Sequence, residues 1–297
     1  MGYEDYIETY GINLTEKEAT NIIKSLFELY EIKKEKGTLY HPGDEIPYNI
    51  INLYMNFINK KDHTIIYENY KYKFISNESI VEPGITKEEI DGIENVYNYI
   101  SIFQKNTPIN IFIESFKLHA KLYEKCPHPE FGTKLREDTA VLFDTPYEVL
   151  PGNLATIEFN KYISKTYVYQ PSNKLINSLN NKTWMDLKIY NTIFKYINDC
   201  IIDCVNLIKL QPFDDGNKRT FRALLNLLFK QADIPPIYIK KDERDIYKRE
   251  LLKAICDDNY EDIIQFYYYK IADSIISLGI NKNKEEKPKE LKREKRY

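Results

Sequence analysis

The most informative segment of this 297-residue chain is LQPFDDGNKRTFR, which spans residues 210–222. Gly216 predicts a turn between two helices, with the second helix beginning near Asn217. The start of a helix presents unpaired backbone N–H groups and the positive end of the helix dipole, which favour bound anions. Arg219 and Arg222 are three residues apart and therefore share one face of that helix. Two guanidinium groups beside such a helix start suit a polyphosphate.

Asp215, directly before the glycine, adds a carboxylate to this predicted anion site. A carboxylate next to bound phosphates is a typical ligand of Mg²⁺. The same residues also suit a simpler interpretation, a corner between two helices that carries a solvated charge cluster. Composition and spacing alone leave these two interpretations open.

Helical patterns surround the segment on both sides. Thr86 and Glu89 form a capping box, which predicts a helix start, and apolar residues at helical spacing follow it. Pro235 and Pro236 end the helix that starts near Asn217. The chain is therefore predicted to be all-α. The other predicted helices cover about residues 15–37, 51–58, 108–123, 183–209, 242–256 and 260–278.

Two segments depart from the helical pattern. Between residues 64 and 75, aromatic residues alternate with lysines, which is typical of a strand. Residues 126–152 are rich in proline and glycine, and residues 141–143 within them are apolar enough for a short strand. The second segment is the longest predicted interruption of the helices.

The composition excludes several classes of protein. Lys and Arg number 42 and Asp and Glu number 45, so the net charge is −3, which argues against a dedicated nucleic-acid-binding protein. No apolar run reaches the roughly 18 residues of a membrane span, and the acidic first residues do not resemble a signal peptide. The four cysteines form no CxxC pair, which disfavours a zinc site and suits free thiols. We therefore expect a cytoplasmic protein.

Residues 211–222 resemble the signature loop of Fic (filamentation induced by cAMP) proteins, His-Pro-Phe-x-Asp/Glu-Gly-Asn-Gly/Lys-Arg-x-x-Arg. Eight of the nine fixed positions match, and only the first, Gln211, differs. The helices on either side of the loop, the proline pair and Tyr247 are also similar to the family's core, over about residues 86–277. The resemblance implies an all-α Fic-fold helical bundle with a short β-hairpin flap. It divides the chain into an N-terminal helical extension with a degenerate inhibitory segment (1–85), a Fic domain (86–280) and a charged disordered tail (281–297).

The resemblance also implies an activity. Most Fic proteins transfer AMP from ATP to a Ser, Thr or Tyr hydroxyl of a protein, and a minority transfer other phosphate-containing groups. By this resemblance the chain is a nucleotidyltransferase, a protein adenylyltransferase that uses ATP and Mg²⁺. Asp215 would coordinate Mg²⁺, and Phe213 would be a buried anchor. The implied nucleotide-binding residues are Gly216, Asn217 and Lys218, which form a backbone anion cradle, and Arg219 and Arg222, which hold the β- and γ-phosphates.

Asn217 has a simpler alternative role as the N-cap of the following helix. His119, on a predicted core helix, is expected to be structural and not a replacement for the missing catalytic histidine.

Gln211 occupies the position of the family's catalytic histidine. A carboxamide cannot act as a general base, and loss of such a base typically costs about 10²–10⁴ in rate. Activity can survive because phosphoryl-type transfers depend mainly on positioning and charge neutralisation, and Gln211 can still accept a hydrogen bond from the attacking hydroxyl.

Several interpretations of Gln211 therefore stay open. The chain is an adenylyltransferase of altered or reduced activity, a transferase of another phosphate-containing group, or a catalytically inactive nucleotide-binding and regulatory module. A helical interaction protein that binds no nucleotide is a further alternative. Gln211 is either the natural residue or an inactivating substitution.

The predicted interruption at 131–152 corresponds, by the resemblance, to the family's flap, a hairpin that holds the target protein by β-augmentation. Gly132 to Arg136 is similar to the Gly-x-x-x-Arg segment that leads into the flap, and residues 141–149 would form its body. The implied partner is a target protein bound along about residues 138–150, with no membrane and no nucleic acid. The oligomeric state has no signal in the sequence.

Many Fic proteins carry an inhibitory helix, Ser/Thr-x-x-x-Glu-Gly/Asn, whose glutamate pairs with the second arginine of the loop. Glu82 lies at the matching distance before the capping box. However, Glu78 stands at the Ser/Thr position and Pro83 at the Gly/Asn position. Glu82 is therefore either an inhibitory residue or an exposed loop carboxylate.

Overall fold

The computed structural model describes residues 50–51, 53–55, 57, 65–82, 84–105, 107–142, 145, 147–169 and 187–281. The helix predicted over about 15–37 lies outside these ranges, as does the tail predicted over 281–297 apart from its first residue. Residues 50–51, 53–55 and 57 are helical, in agreement with the helix predicted over 51–58.

Helices make up most of the described chain, so the all-α prediction is confirmed, with a small antiparallel strand pair as its β structure. Within the described ranges, none of the helices has both the length and the apolar character needed to cross a membrane. The helices are α1 (Glu68–Val81), α2 (Lys87–Ile102), α3 (Ile111–Tyr123), α4 (Gly152–Asn160), α5 (Leu187–Leu210), α6 (Asn217–Gln231), α7 (Arg244–Asp257) and α8 (Glu261–Asn281). The strands are β1 (Ile109–Asn110) and β2 (Thr166–Tyr167), and short 3₁₀ turns lie at Pro129–Thr133, Lys161–Ser164 and Lys241–Glu243.

Helix α2 begins where the capping box predicted. The Thr86 side chain accepts a hydrogen bond from the Glu89 backbone N–H (3.3 Å), and the Glu89 carboxylate accepts one from the Thr86 N–H (2.7 Å). These bonds satisfy two N–H groups that a helix start leaves free. Helix α3 was predicted from Pro108 but begins later, at Ile111, because β1 precedes it and the Asn110 side chain caps its first turn.

The strand expected between residues 64 and 75 is wrong, because this part of the chain leads into and forms helix α1. Tyr70 and Phe74 are buried, whereas Tyr72 between them is 79% exposed. Residues four apart lie on the same face of a helix, so these two aromatic residues form one buried stripe. Helix α1 packs against α2, and the end of α1 contacts Arg222 in the second turn of α6.

The flap was expected to be a hairpin, but the described residues of 134–151 form no strand apart from an isolated bridge between Leu135 and Phe213. Arg136 explains the irregular path, since its guanidinium donates to the carbonyls of Asp138 (2.7 Å) and Leu150 (2.5 Å). Backbone groups that would pair across a hairpin are thus bound by one side chain. The antiparallel pair of the fold lies elsewhere, at β1 and β2.

Helix α6 is the centre of the core. All of its residues except Lys218 are buried, and it packs against α2, α3 and α5. Phe213 anchors the loop before it, since the ring is fully buried and stacks on His119 with ring centroids 3.8 Å apart. The prediction of Phe213 as a buried anchor is confirmed, and the loop is held firmly against α3 as a result.

Described residues before α2 also contact this core. The Tyr54 hydroxyl donates to the Ala232 carbonyl at the end of α6, and the Tyr70 hydroxyl donates to the Ser274 carbonyl of α8 (3.4 Å). Because Tyr54 and Tyr70 are themselves buried, this part of the N-terminal region shares the hydrophobic core of the helices that follow.

Candidate functional site

The loop between α5 and α6 opens the start of α6 towards a cavity. Gly216 is the N-cap of α6 and has φ = 72°, a left-handed conformation that favours glycine. A Cβ atom there would also come within 2.9 Å of the Tyr123 ring. No side chain of the described residues caps this helix start, so its first N–H groups are available to an anion, as the sequence predicted.

The Asn217 side chain holds the loop in place through hydrogen bonds to Phe213 and Gln211. Its side-chain oxygen accepts from the Phe213 N–H (2.9 Å), and its amide nitrogen donates to the Phe213 carbonyl (2.8 Å) and to Gln211 Oε1 (3.1 Å). The alternative role as an N-cap is wrong, because Gly216 holds that position. Asn217 therefore sets the shape of the loop that presents the helix start.

A cavity of about 750 Å³ lies against this loop. Its other walls are the end of α1, the start of α2, the irregular segment at 139–142 and helix α7. Along α7 the lining changes from Arg244 and Lys248 to Leu251, Leu252 and Ile255, over a length of roughly 16 Å. The cavity thus has a charged end next to the loop and an apolar end farther along α7. The charged residues that line it are Lys218, Arg219, Arg222, Arg244 and Lys248, with Glu82, Glu89, Asp214 and Asp215.

Arg219 is 4% exposed and contacts three side chains at the edge of the cavity. Nη1 donates to Glu89 (2.5 Å), and Nη2 donates to Asp215 (3.0 Å) and to the Tyr123 hydroxyl (3.4 Å). Burial lowers the pKa of Arg219, but the neighbouring Tyr123, Glu82 and Asp215 groups raise it by more. Arg219 is therefore a charged group whose carboxylate partners both lie at the cavity.

Arg222 is 3% exposed and contacts two glutamates from the end of α1. Nε donates to Glu78 (2.8 Å), and Nη1 donates to Glu82 (3.1 Å). Nη2 is buried and has no hydrogen-bond partner within the described part of the chain. The guanidinium also lies over the Tyr247 ring, 5.9 Å from its centroid. Burial lowers the pKa of Arg222, but Glu78, Tyr247 and Glu82 raise it well above its ordinary value.

The two arginines predicted to bind phosphates are thus both engaged in ion pairs, and both still line an open cavity. Glu82 contacts the second arginine of the loop, which is the contact that the resemblance implies for an inhibitory glutamate. Pro83 lies outside the described residues. The inhibitory role of Glu82 stays a prediction, and its alternative as an exposed loop carboxylate is not favoured, because the side chain is 18% exposed and binds Arg222.

Gln211 is buried at the cavity wall, with a backbone φ of 49°. Its amide nitrogen donates to the Ile208 carbonyl (2.5 Å), and its amide oxygen accepts from Asn217 (3.1 Å). The described residues that line the cavity include no histidine. No imidazole therefore replaces the missing general base in this part of the structure.

His119 lies behind the loop and not in the cavity. Its two ring nitrogens lie 2.9 Å from the Gly132 carbonyl oxygen and 2.8 Å from that of Asp215, and its ring stacks on Phe213. Burial lowers the pKa of His119, although both carbonyls raise it. This position matches the structural role that the sequence predicted for it.

Asp215 is the candidate metal ligand. Its side chain is 70% exposed, and its Oδ2 accepts from the Tyr123 hydroxyl (2.8 Å) and from Arg219 (3.0 Å). Burial raises the pKa of Asp215, but Arg219, the Gly216 N–H and Tyr123 lower it by more, so the carboxylate is ionised. The described residues contain no group of three metal-ligating side chains. One carboxylate suits Mg²⁺, which commonly takes its other ligands from water and substrate phosphates.

Four residues of the site were not expected to belong to it. Glu89 was expected only to cap α2, yet its second oxygen binds Arg219. Tyr123 lies one helical turn after His119 on α3, and that spacing was the available signal. Arg244 and Lys248 lie on α7 and share one face by the same spacing, but their approach to the loop depends on how the helices pack.

Comparison with known proteins gives relatives for part of the chain. No family model matches it. It is similar to the protein named Protein adenylyltransferase Fic of Drosophila willistoni and to the protein of the same name of Drosophila grimshawi, with 34% identity over 90 residues in each case. These residues make up 30% of this chain and 17% of each relative, so the match spans about a sixth of the length of those proteins.

Two solved structures resemble almost the whole chain. A fragment of Fic-1 from C. elegans has a TM-score of 0.57 at 15% identity, covering 94% of this chain and 82% of that one. A single-residue variant of the same fragment has a TM-score of 0.52 at 14% identity, with coverage of 94% and 81%. At these identities the likeness concerns the fold.

Proposed function

We propose that this chain, which is similar to Fic proteins in part of its sequence and in its all-α fold, binds ATP with Mg²⁺ in the cavity beside residues 211–222. We further propose that it transfers AMP to a hydroxyl group of a target protein. The observation that carries the proposal is the uncapped helix start at Gly216, with Arg219 and Arg222 beside it on one cavity. The apolar end of that cavity along α7 suits a nucleobase.

The charged end of the cavity has a group for each part of the triphosphate. The uncapped N–H groups at the start of α6 suit a bound anion. Lys218 and Arg219 belong to the first turn of the same helix and also line the cavity. Arg222 can take the terminal phosphate only when Glu82 leaves Nη1. Bound Mg²⁺ would supply charge neutralisation between the phosphates, and Asp215 would hold it.

The transfer itself requires that the hydroxyl oxygen of the target bonds to the α-phosphorus while the bond from that phosphorus to the β-bridging oxygen breaks. Pyrophosphate leaves, and the hydroxyl proton passes to solvent. Gln211 can orient the hydroxyl but cannot take its proton. We therefore expect a rate about 10²–10⁴ below that of the same protein with a histidine at this position. The target segment is proposed to lie along residues 138–150.

A second candidate function is nucleotide binding without transfer. It is favoured by the two hydrogen bonds that hold the Gln211 amide, because an amide held by Ile208 and Asn217 has less freedom to orient a substrate hydroxyl. Transfer of another phosphate-containing group through the same loop is a third candidate, since the anion-binding features do not select the rest of the donor molecule.

One set of measurements distinguishes these functions. The wild-type chain and the Gln211→His, Glu82→Gln and doubly substituted variants are incubated with Mg²⁺ and ATP labelled at the α- or the γ-phosphate. Mass spectrometry then looks for an added AMP on the chain or on proteins of an extract. We expect α-label only, with the strongest signal from the double variant. Parallel incubations with GTP and CDP-choline test the other donors.

The possible results separate the candidates. Transfer that appears only with histidine at position 211, together with ATP binding by the wild type, favours the binding module. ATP binding that survives Arg222→Ala unchanged contradicts the proposed phosphate site. A chain that binds neither ATP nor the other nucleotides in any variant contradicts the proposal and favours a helical interaction protein.

A further inference from the structure

Arg222 is bound by two carboxylates that lie four residues apart in the sequence but in different surroundings. Glu78 is in the last turn of α1 with a side chain 5% exposed, and it binds Nε. Glu82 follows the end of α1 in an extended conformation with a side chain 18% exposed, and it binds Nη1. Glu82 lines the 750 Å³ cavity, whereas Glu78 does not. The two contacts are therefore not equivalent.

Glu78 lies on the inner side of Arg222, against a second group of buried charges. A small cavity of about 10 Å³ separates it from that group, with Lys270 and Tyr238 in its walls. Lys270 is fully buried and binds Glu243 (2.7 Å) and Asp273 (3.0 Å). Lys240 completes the group through Asp273 (2.8 Å).

The inner side of Arg222 is balanced in charge without Glu82. Lys240 and Lys270 carry two positive charges against the two negative charges of Glu243 and Asp273. Arg222 and Glu78 form a further neutral pair. Glu82 is therefore an additional negative charge on the cavity side. Its departure leaves Arg222 paired with Glu78, whereas loss of both glutamates would leave the buried arginine without a counter-ion.

We propose that Glu78 is a specificity-determining residue, a permanent counter-ion that orients Arg222 through Nε and limits how much negative charge this arginine can neutralise for a bound phosphate. This rests on the proposed function, in that the phosphates of the nucleotide bind at this end of the cavity. Once Glu82 leaves, Nη1 is open to the ligand while Glu78 remains on Nε. Additional negative charge on a ligand near Arg222 then adds less binding free energy than it would beside an unpaired arginine.

The consequence is a smaller preference for ATP over ADP than the two loop arginines would otherwise give. Removal of the Glu78 charge is expected to raise the affinity of both nucleotides, and that of ATP more, because ATP carries one more negative charge. A unit charge at a partly screened site is expected to change the ratio of the two dissociation constants by about fivefold. A role limited to packing would instead weaken both nucleotides in the same proportion.

The test uses the Glu82→Gln variant of the full chain as reference, so that Glu82 does not compete with the ligand. ATP and ADP are titrated calorimetrically without Mg²⁺ at low and high salt. The same titrations are made after adding Glu78→Gln, Glu78→Asp or Glu68→Gln. Glu68 is the matched control, since it is an exposed glutamate of the same helix. Glu78→Ser replaces Glu78→Gln if the latter unfolds, because it also removes the charge.

We expect the ADP-to-ATP ratio of dissociation constants to rise about fivefold with Glu78→Gln and to stay near the reference value with Glu78→Asp and Glu68→Gln, with a smaller rise at high salt. An unchanged ratio in a folded, nucleotide-binding Glu78→Gln or Glu78→Ser variant overturns the inference alone. If the reference and all variants fail to bind either nucleotide, the proposed function fails and the inference fails with it.

Discussion

The two arginines of the loop are buried to nearly the same extent but are neutralised in different ways. At Arg219, which we call the outer arginine, the carboxylate partners come from the start of α2 and from the loop, and that of Asp215 is mostly exposed. At Arg222, the inner arginine, one partner is exposed in part and the other, Glu78, is buried. Water or a ligand can therefore replace Asp215 at the outer arginine more readily than Glu78 at the inner one.

Under the proposed function, this difference would divide the site into an accessible part and a part that Glu82 controls. The outer arginine, Lys218 and the start of α6 can meet an anion with small side-chain movements. The inner arginine needs Glu82 to leave first, and Glu82 belongs to the segment that follows α1. Under the proposed function, the same chemical group would contribute binding at one position and a point of control at the other.

The largest expected difference between the two positions is in stability. Arg222→Ala leaves Glu78 as an uncompensated buried charge and is expected to cost about 3–5 kcal/mol in the free energy of unfolding. Arg219→Ala leaves Asp215 mostly exposed and Glu89 still bound to the Thr86 N–H, and is expected to cost less, about 1–2 kcal/mol. Urea unfolding of both variants measures the difference.

The double variant Arg222→Ala/Glu78→Gln is the control for this interpretation. It removes both buried charges and should recover a large part of the loss. Equal costs at the two arginines, or no recovery in the double variant, would contradict the distinction between an inner and an outer position.

Much of the fold was predictable because its signals are local. The capping box of Thr86 and Glu89 needs only residues three apart, and Gly216 marks its turn through its own backbone conformation. Helix α6 was predicted from its apolar residues and the proline pair that follows. The helix that contains Tyr70 and Phe74 was missed because its few buried residues happened also to match a strand.

The candidate site was predictable only in part, for a related reason. The residues of the loop could be assigned from their order in the sequence, but their partners are distant in the chain. Arg222 meets Glu78 across 144 positions, and Arg219 meets Glu89 across 130. The described residues of the expected flap form no paired strands, because the Arg136 side chain takes the backbone carbonyl of Leu150 at the far end of the segment. Such contacts depend on how the helices pack, and no periodic pattern in the sequence indicates them.

A second prediction concerns the orientation of Asp215 at the outer position. Its Oδ2 is held by Tyr123, so Tyr123→Phe removes this bond and the longer one from Arg219 (3.4 Å) while keeping the ring against Gly216. We expect about a five- to tenfold weaker affinity for ATP in the presence of Mg²⁺, in line with the usual value of such a bond. Affinity without Mg²⁺ should change much less, because the arginines stay in place.

Tyr99→Phe provides the matched control for this prediction, since Tyr99 donates to the Glu114 carboxylate (2.6 Å), which does not line the cavity. Titration of ATP into both variants with and without Mg²⁺ separates an effect on the metal from one on the loop. Equal weakening with and without Mg²⁺ would show that Tyr123 supports the loop and not the metal ligand.

The smallest expected effect is the dependence of stability on pH at the inner position. Burial raises the pKa of Glu82, but Arg222 and Lys218 lower it by more, so its pKa in the folded state lies below the ordinary value of 4.5. A lowered pKa means that Glu82 contributes its full stabilisation above about pH 4.5 and loses it as the pH falls through the folded-state value. The contribution of this partly exposed ion pair is expected to be below about 1 kcal/mol.

Urea unfolding between pH 3 and 7 should therefore show a slightly steeper decline in the free energy of unfolding towards acid pH for the wild type than for Glu82→Gln. Identical declines would mean that Glu82 gains nothing from Arg222 beyond what Glu78 already provides, and that the inner arginine has only one energetically significant partner.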